Sequence, residues 1–155
     1  MANIAQSVNV ISPLMTTKDG IIKQTTWWPY LLFCKYMRGS ALAVHLQGSE
    51  YEGPTKPEWI RGKMETPWLD VSAAISDDGI ISLVVVNVHE TQSFSTQIEG
   101  IPSGAKADVY TVAGPNVGAI NTAEKSEVLI AESKWEANGA YEFPKASMTM
   151  LRWKA

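Results

Sequence analysis

The chain has 155 residues, a formal net charge of -3 at pH 7 and a sequence pI near 5.4. Charged residues make up 19% and hydrophobic residues 45%, which indicates a globular chain large enough to bury a core. This balance argues against nucleic acid or an acidic membrane surface as a partner. No run of the sequence approaches the roughly twenty apolar residues of a membrane span.

The first twenty residues predict a helix end, a connector and a turn. Ile4, Ala5 and Val8 could share one helical face, and no capping pattern precedes them, so Ala2 to Val8 is predicted to be the tail of a helix that begins upstream. Residues 10–15 are extended and apolar, but Pro13 argues against a central strand. No signal peptide is predicted, and the compartment stays open.

Residues 20–39, GIIKQTTWWPYLLFCKYMRG, change from a strand pattern to a helix pattern. Ile21 and Ile22 follow a turn signal and predict a short strand. From Pro29 onward the apolar residues fall at helical spacing, and Gly39 is placed to cap the helix end. In a parallel α/β fold, the loop between such a strand and helix lies where active sites are built.

Cys34 is the single cysteine, so no disulfide can form within the chain. It lies in the apolar helix pattern. We therefore expect a buried structural thiol and not a reactive one.

After Gly39 the pattern is that of short strands. Apolar residues alternate over 42–46, residues 48–63 predict a long surface loop, and Asp78-Gly79 and Asn138-Gly139 are hairpin signals. Spacing and turns favour an antiparallel β-sandwich. Its further predicted strands are 69–75, 80–88, 93–98, 107–112, 128–132, 141–143 and 149–153.

Two motifs near the start point to a family. Residues 8–16, VNVISPLMT, and 24–30, QTTWWPY, closely resemble the last barrel segment of the α-L-arabinofuranosidases of glycoside hydrolase family 51. Those enzymes carry an N-V-I-A-P-like run, then Q-T, a variable residue, two aromatics, proline and an aromatic. Here Ser12 stands where alanine is usual, and the aromatic pair is Trp-Trp instead of Tyr or Phe. The resemblance continues to the end of the chain through PWLDVS at 67–72, FPK at 143–145 and LRW at 151–153.

The resemblance implies a mixed fold, in which the terminal segment of a (β/α)8 TIM barrel precedes an antiparallel, jelly-roll-like β-sandwich. Residues 1–41 would be the last strand and helix of an incomplete catalytic barrel, and 42–155 the C-terminal sandwich domain. The implied partners are the rest of the barrel, in the same parent chain or a complementing chain, and an arabinose-containing polysaccharide or oligosaccharide. A homo-oligomer is left open.

The function implied by the resemblance is that of a retaining α-L-arabinofuranosidase, which removes non-reducing terminal arabinofuranosyl residues from arabinoxylan, arabinan or arabino-oligosaccharides. In that family both catalytic glutamates come from earlier barrel strands, which are absent here. The glutamates of this chain are interpreted as solvated surface charges, so the chain alone is predicted to be inactive. No cofactor is implied, and His45 and His89 are interpreted as strand-face residues and not as metal ligands.

Gln24, Trp27 and Trp28 are the predicted substrate-binding residues. The resemblance implies that Gln24 ends the last barrel strand and hydrogen-bonds the arabinofuranose beside the cleaved bond; an amide offers both a donor and an acceptor. Alternatively, Gln24 only satisfies the loop backbone. The two tryptophans could stack on sugar faces. Packing between the barrel helix and the sandwich is the interpretation that we favour for each.

Two further readings of the chain remain open. It could be a sandwich that binds hemicellulose without cutting it, with Trp59 and Tyr51 as exposed platforms. It could also be a structural domain that only supports the barrel. A binding module needs a flat row of exposed aromatic rings, whereas a supporting domain buries them.

Overall fold

A computed structural model of the chain describes residues 4–52 and 65–155. These residues form one helix and a series of short strands: β1 Leu14–Thr17, β2 Gly20–Lys23, α1 Trp27–Tyr36, β3 Ser40–Leu42, β4 Glu50–Glu52, β5 Glu65–Pro67, β6 Leu69–Ile75, β7 Ile80–Asn87, β8 Phe94–Gln97, β9 Lys106–Ala113, β10 Leu129–Glu136, β11 Ala140–Phe143 and β12 Ser147–Lys154. In this part of the chain no helix has the length and apolarity to cross a membrane.

A six-stranded sheet in the order β10-β9-β12-β7-β6-β3 is the centre of the fold, and every pairing in it is antiparallel. Three two-stranded sheets, β1-β2, β8-β11 and β4-β5, surround it. The predicted antiparallel sheet is confirmed. The hairpin signal at Asp78-Gly79 is confirmed too, because β6 and β7 pair there and Gly79 has a φ of 73°.

Both faces of the large sheet are covered, because its central strands alternate apolar side chains to either side. On one face, Leu83 and Leu151 pack with Phe143 of the small sheet β8-β11. On the other, Val84 and Met150 pack under the helix. The helix therefore lies on one side of the sheet and the small sheet on the other.

Helix α1 buries only one of its faces. Leu32 is buried at 2% exposure against the sheet, whereas Leu31 and Phe33 remain 37% and 38% exposed. Cys34 is also exposed, so the prediction of a buried thiol was wrong. The reason is rotational: Leu32 and Tyr36 lie four residues apart on the sheet side, and Cys34 falls midway between them on the opposite side.

The helix predicted for Ala2 to Val8 does not form over the described residues 4–8. The next two residues, Asn9 and Val10, have φ angles of 61° and 56°, which are incompatible with a right-handed helix. Beyond them, Leu14–Thr17 pairs with Gly20–Lys23 as an antiparallel hairpin, so the predicted turn over 16–20 lies inside it.

Two other strand predictions need correction. The strand expected over 42–46 is only β3, Ser40–Leu42, because the chain leaves the sheet edge once its pairing with β6 ends. Asn138-Gly139 does not form a hairpin: the strands that it joins, β10 and β11, pair in different sheets. The loop predicted for 48–63 lies largely outside the described residues, as do Trp59 and Glu58, but it begins with the short strand β4.

Candidate functional site

Gln24 lies immediately after β2, as predicted, but α1 begins three residues later at Trp27 and not at Pro29, so both tryptophans lie in the first turn of the helix and not in the loop. Its backbone N–H donates to the Pro13 carbonyl at 2.8 Å, and its carbonyl accepts from the Trp27 N–H at 3.0 Å. The backbone N–H and carbonyl of Gln24 are thus both paired with backbone groups. Within the described residues the half-buried Gln24 side-chain amide has no hydrogen-bond partner, which leaves a donor and an acceptor for a ligand.

Trp28 packs against the buried cluster between helix and sheet, and Lys23 Nζ lies 5.4 Å from the centroid of its ring. This position agrees with the packing role favoured from the sequence. Trp27, the residue before it, is also half-buried. The indole Nε1 atoms of both tryptophans are buried and find no acceptor among the described residues. A buried indole donor usually has a partner, so these two atoms mark a region whose polar contacts are incomplete.

The C-terminal end of α1 contacts the large sheet through a cation–π interaction. The Arg152 guanidinium lies 3.9 Å from the centroid of the Tyr36 ring, and its Nε donates to Ser82 Oγ at 3.1 Å. Ser82 Oγ in turn donates to the Tyr36 carbonyl at 3.1 Å. A stacked and hydrogen-bonded arginine is stabilising at such a junction. The helix that follows Gln24 is therefore held at its C-terminal end.

Tyr110 completes this junction, with its hydroxyl 3.3 Å from that of Tyr36. Burial, helped by this hydrogen bond, raises the pKa of Tyr110 to about 12. Burial also opposes ionisation of Tyr36, but hydrogen bonds with Lys35 and Tyr110, together with the charges of Lys35 and Arg152, outweigh it and leave the pKa of Tyr36 below its ordinary value.

The carboxyl groups of the described chain do not resemble a catalytic acid. Wherever the structure describes their side chains, these are exposed, apart from that of Glu127, which is half-buried and lies 2.6 Å from Lys125 Nζ. A general acid needs a raised pKa. Here the hydrogen bond with Lys125 lowers the pKa of Glu127, and the hydrogen bond with Ser76 lowers that of Asp78.

Neither histidine lies on a strand face, so that interpretation was wrong. His45 is exposed in the irregular segment after β3, and His89 follows β7 in a turn, where its Nδ1 accepts from the Thr91 and Gln92 N–H groups at 3.2 Å. Among residues 4–52 and 65–155, no three His, Cys, Asp or Glu side chains are grouped as metal ligands.

An aromatic stack that the sequence did not reveal runs along the small-sheet side. Tyr51 packs on Trp68 at 4.4 Å between ring centroids, Trp68 on His89 at 4.3 Å, and His89 on Phe94 at 5.8 Å. All four rings are half-buried and cover one another. Tyr51 is therefore not the open platform expected for a carbohydrate-binding module, and its partner in that expectation, Trp59, lies outside the described residues.

A cavity of about 900 Å³ lies between the large sheet, β8 and the segment after β3. Its walls are mainly apolar, with Leu46, Phe94 and Trp153 among them. A sugar site needs convergent polar groups, so this mainly apolar lining is a weaker candidate than the Gln24 turn.

Comparison with known proteins identifies the family of this chain. A family model described as the alpha-L-arabinofuranosidase C-terminal domain matches residues 1–147. The chain belongs to this family. This C-terminal domain is 59% identical over 155 residues to a protein of Aspergillus terreus named "Probable alpha-L-arabinofuranosidase C"; the match covers 100% of the chain and 30% of that protein.

Solved structures agree with the domain assignment. The alpha-L-arabinofuranosidase of Thermotoga maritima, in an arabinose complex, is 26% identical with a TM-score of 0.82, over 97% of this chain and 33% of that one. The glycoside hydrolase family 51 arabinofuranosidase of Xanthomonas axonopodis pv. citri is 26% identical with a TM-score of 0.78, over 99% and 31% respectively. The resemblance to the C-terminal portion of family 51 enzymes is confirmed, and the chain spans about a third of the length of these relatives.

Proposed function

We propose that this domain is the C-terminal part of a retaining α-L-arabinofuranosidase that removes non-reducing terminal arabinofuranosyl residues from arabinoxylan, arabinan or arabino-oligosaccharides. The observation that carries the proposal is the position of Gln24 at the end of β2, with backbone bonds complete and a side-chain amide that has no partner among the described residues. This residue supplies a hydrogen bond to the arabinose in the complete enzyme.

In this proposal residues 1–41 are the last strand and helix of a (β/α)8 barrel, and 42–155 form a jelly-roll-like sandwich. Apolar groups at the start support it: Ile21 is 66% exposed, and Leu31 and Phe33 lie on the uncovered side of α1. Barrel strands bury such side chains against neighbouring strands and an outer ring of helices. β1 pairs with one edge of β2, and the strand beside the other edge would come from the rest of the parent protein.

The catalytic pair also belongs to that missing part. Retaining glycosidases need two carboxyl groups about 5–5.5 Å apart, one as acid/base and one as nucleophile. The carboxyl groups whose side chains the structure describes are exposed or have lowered pKa values, which suits neither a general acid nor a desolvated nucleophile. The chain therefore contributes a wall of the sugar pocket, and Trp28 contributes through packing.

The sandwich has a supporting role in this proposal. The half-buried state of Tyr51, Trp68 and Phe94 favours support over a separate carbohydrate-binding platform. An open platform would leave ring faces free for stacking on sugar.

The test is an assay with an aryl α-L-arabinofuranoside. The complete parent should hydrolyse it with retention of anomeric configuration, observed by NMR, because a covalent glycosyl-enzyme intermediate inverts the centre twice. The purified chain alone should show no turnover. Activity of the isolated chain, or an inactive or inverting parent, would refute the proposal.

A further inference from the structure

Asn121 connects the sheet domain to the Gln24 turn. It lies in the connection between β9 and β10 and is buried at 4% exposure. Its side-chain Nδ2 donates to the Lys23 carbonyl and to the Val128 carbonyl, each at 2.9 Å, and its Oδ1 accepts from the Val128 N–H at 2.9 Å. The bond to Lys23 spans 98 residues of sequence. From these contacts we infer that Asn121 is the positioning residue for Gln24.

The bond acts on the peptide unit that carries Gln24. The Lys23 carbonyl and the Gln24 N–H belong to the same planar peptide. Asn121 holds the carbonyl end, and the Pro13 carbonyl holds the N–H end at 2.8 Å. Rotation of the peptide plane would break both hydrogen bonds, so they restrain the direction in which the Gln24 side chain leaves the backbone.

The connection that carries Asn121 is itself built to hold a defined shape. Its internal bonds include Ala119 N–H to the Asn116 carbonyl at 3.1 Å and Thr122 N–H to the Lys125 carbonyl at 2.8 Å. A Cβ at Gly114 would lie 2.8 Å from the Cβ of Ala119, so the backbone of the connection passes too close to Ala119 for any residue but glycine at position 114. A preorganised support of this kind is what a binding group needs, since displacement by about 1 Å can cost about a hundredfold in rate.

Asn87 provides a matched control. It is 1% exposed, and it also makes three backbone contacts: its Nδ2 donates to the Gln92 and Phe143 carbonyls at 2.9 and 3.2 Å, and its Oδ1 accepts from the His89 N–H at 2.9 Å. Its contacts join the large sheet to the small sheet instead of the Gln24 turn. Removing either amide leaves buried backbone groups unpaired, so both variants should lose similar stability.

The inference rests on the proposed function, and its experiment uses the complete parent enzyme. With an aryl α-L-arabinofuranoside, well below the Tm of each variant, Asn121→Ala should lower kcat/KM about ten- to a hundredfold, and Asn87→Ala less than about threefold. In a Gln24→Ala background, Asn121→Ala should add less than about threefold, because the contact that it positions is already lost. Asn121→Ser is the milder variant should Asn121→Ala fold poorly.

Hydrogen exchange in the same enzymes tests the tether without activity. Asn121→Ala should raise exchange at the Gln24 amide, and Asn87→Ala should leave it unchanged. Equal losses of kcat/KM for the two asparagine variants, or full additivity with Gln24→Ala, would overturn the positioning role. An inactive wild-type parent would instead refute the proposed function and with it the catalytic part of this inference.

Discussion

At the scale of single residues, the role of the Gln24 side chain depends on the hydrogen bonds that its neighbours make. A glutamine on a loop commonly bonds the nearby backbone. Here the Pro13 carbonyl and the Trp27 N–H complete that backbone, so the amide is left for another partner. Trp28 shows the opposite outcome: it belongs to the same motif, but it packs against the cluster between helix and sheet and is half-buried there.

Gln24→Ala in the complete enzyme should lower kcat/KM by about ten- to a hundredfold, the kinetic equivalent of about 1–3 kcal/mol for an unpaired polar group. The loss should be the same with an aryl arabinofuranoside as with a polymer, because the contact is to the arabinose itself. The Tm should barely change. Steady-state kinetics and thermal unfolding measure these two effects.

Trp28→Ala is the contrasting variant, since it removes part of the cluster between helix and sheet and should lower the Tm together with activity. If Gln24→Ala had unchanged efficiency on the aryl substrate, Gln24 would not be a binding residue.

At the scale of elements, the chain leaves α1 for the edge of the large sheet through a close backbone approach at Gly39. The helix ends at Tyr36 with Met37 as its C-cap, and Gly39, two residues after the cap, has a φ of 113°. Gly39 was predicted to cap the helix. Its decisive role is instead to let β3 approach β6, because a Cβ at Gly39 would lie 2.1 Å from the Ile75 carbonyl oxygen.

Gly39→Ala should therefore lower the free energy of unfolding by about 2–4 kcal/mol, through the combined cost of the positive φ and the clash. The matched control is Gly100→Ala, since Gly100 has a φ of 83° but open space around it. That variant should cost about 1 kcal/mol. Thermal unfolding of the two variants measures the difference. Equal losses in the free energy of unfolding would show that the close approach to Ile75 does not contribute to the cost.

At the scale of the whole molecule, the described chain has one well-packed part and one apolar surface that it does not cover. The sheet buries both of its faces. Val10, Ile11 and Ile21 are 76%, 72% and 66% exposed near the start of the chain. Large exposed apolar side chains of this kind are typical of an interface, which agrees with a chain that spans about a third of the length of its relatives.

In the chain alone, the amides of β1 and β2 should exchange with solvent much faster than those of β7 and β12, because a two-stranded sheet with one exposed face is marginally stable. In the complete parent, the β1 and β2 amides should gain protection, while those of β7 and β12 should change little. Hydrogen exchange with mass spectrometry can compare the two proteins. Equal, strong protection of both regions in a monomeric chain would count against the barrel-fragment proposal.

Local pattern determined much of this protein by itself. The strand at Ile21 and Ile22, the helix after it and the strands from Leu69 onward follow from periodicity and turn residues, which act over a few positions. The motif QTTWWPY also indicated the family, because it combines several residue types at fixed spacing.

Only the tertiary structure decided which side of α1 is buried, why Gly39 must be glycine and what holds the Gln24 turn. Each depends on groups that are distant in sequence: Leu32 meets β7 and β12, and Asn121 bonds the Lys23 carbonyl across 98 residues. Hydrogen bonds and packing contacts of this kind leave no period or spacing in a single sequence. They arise from the way in which the sheet brings its connections together, so Cys34 could be misplaced and Asn121 overlooked.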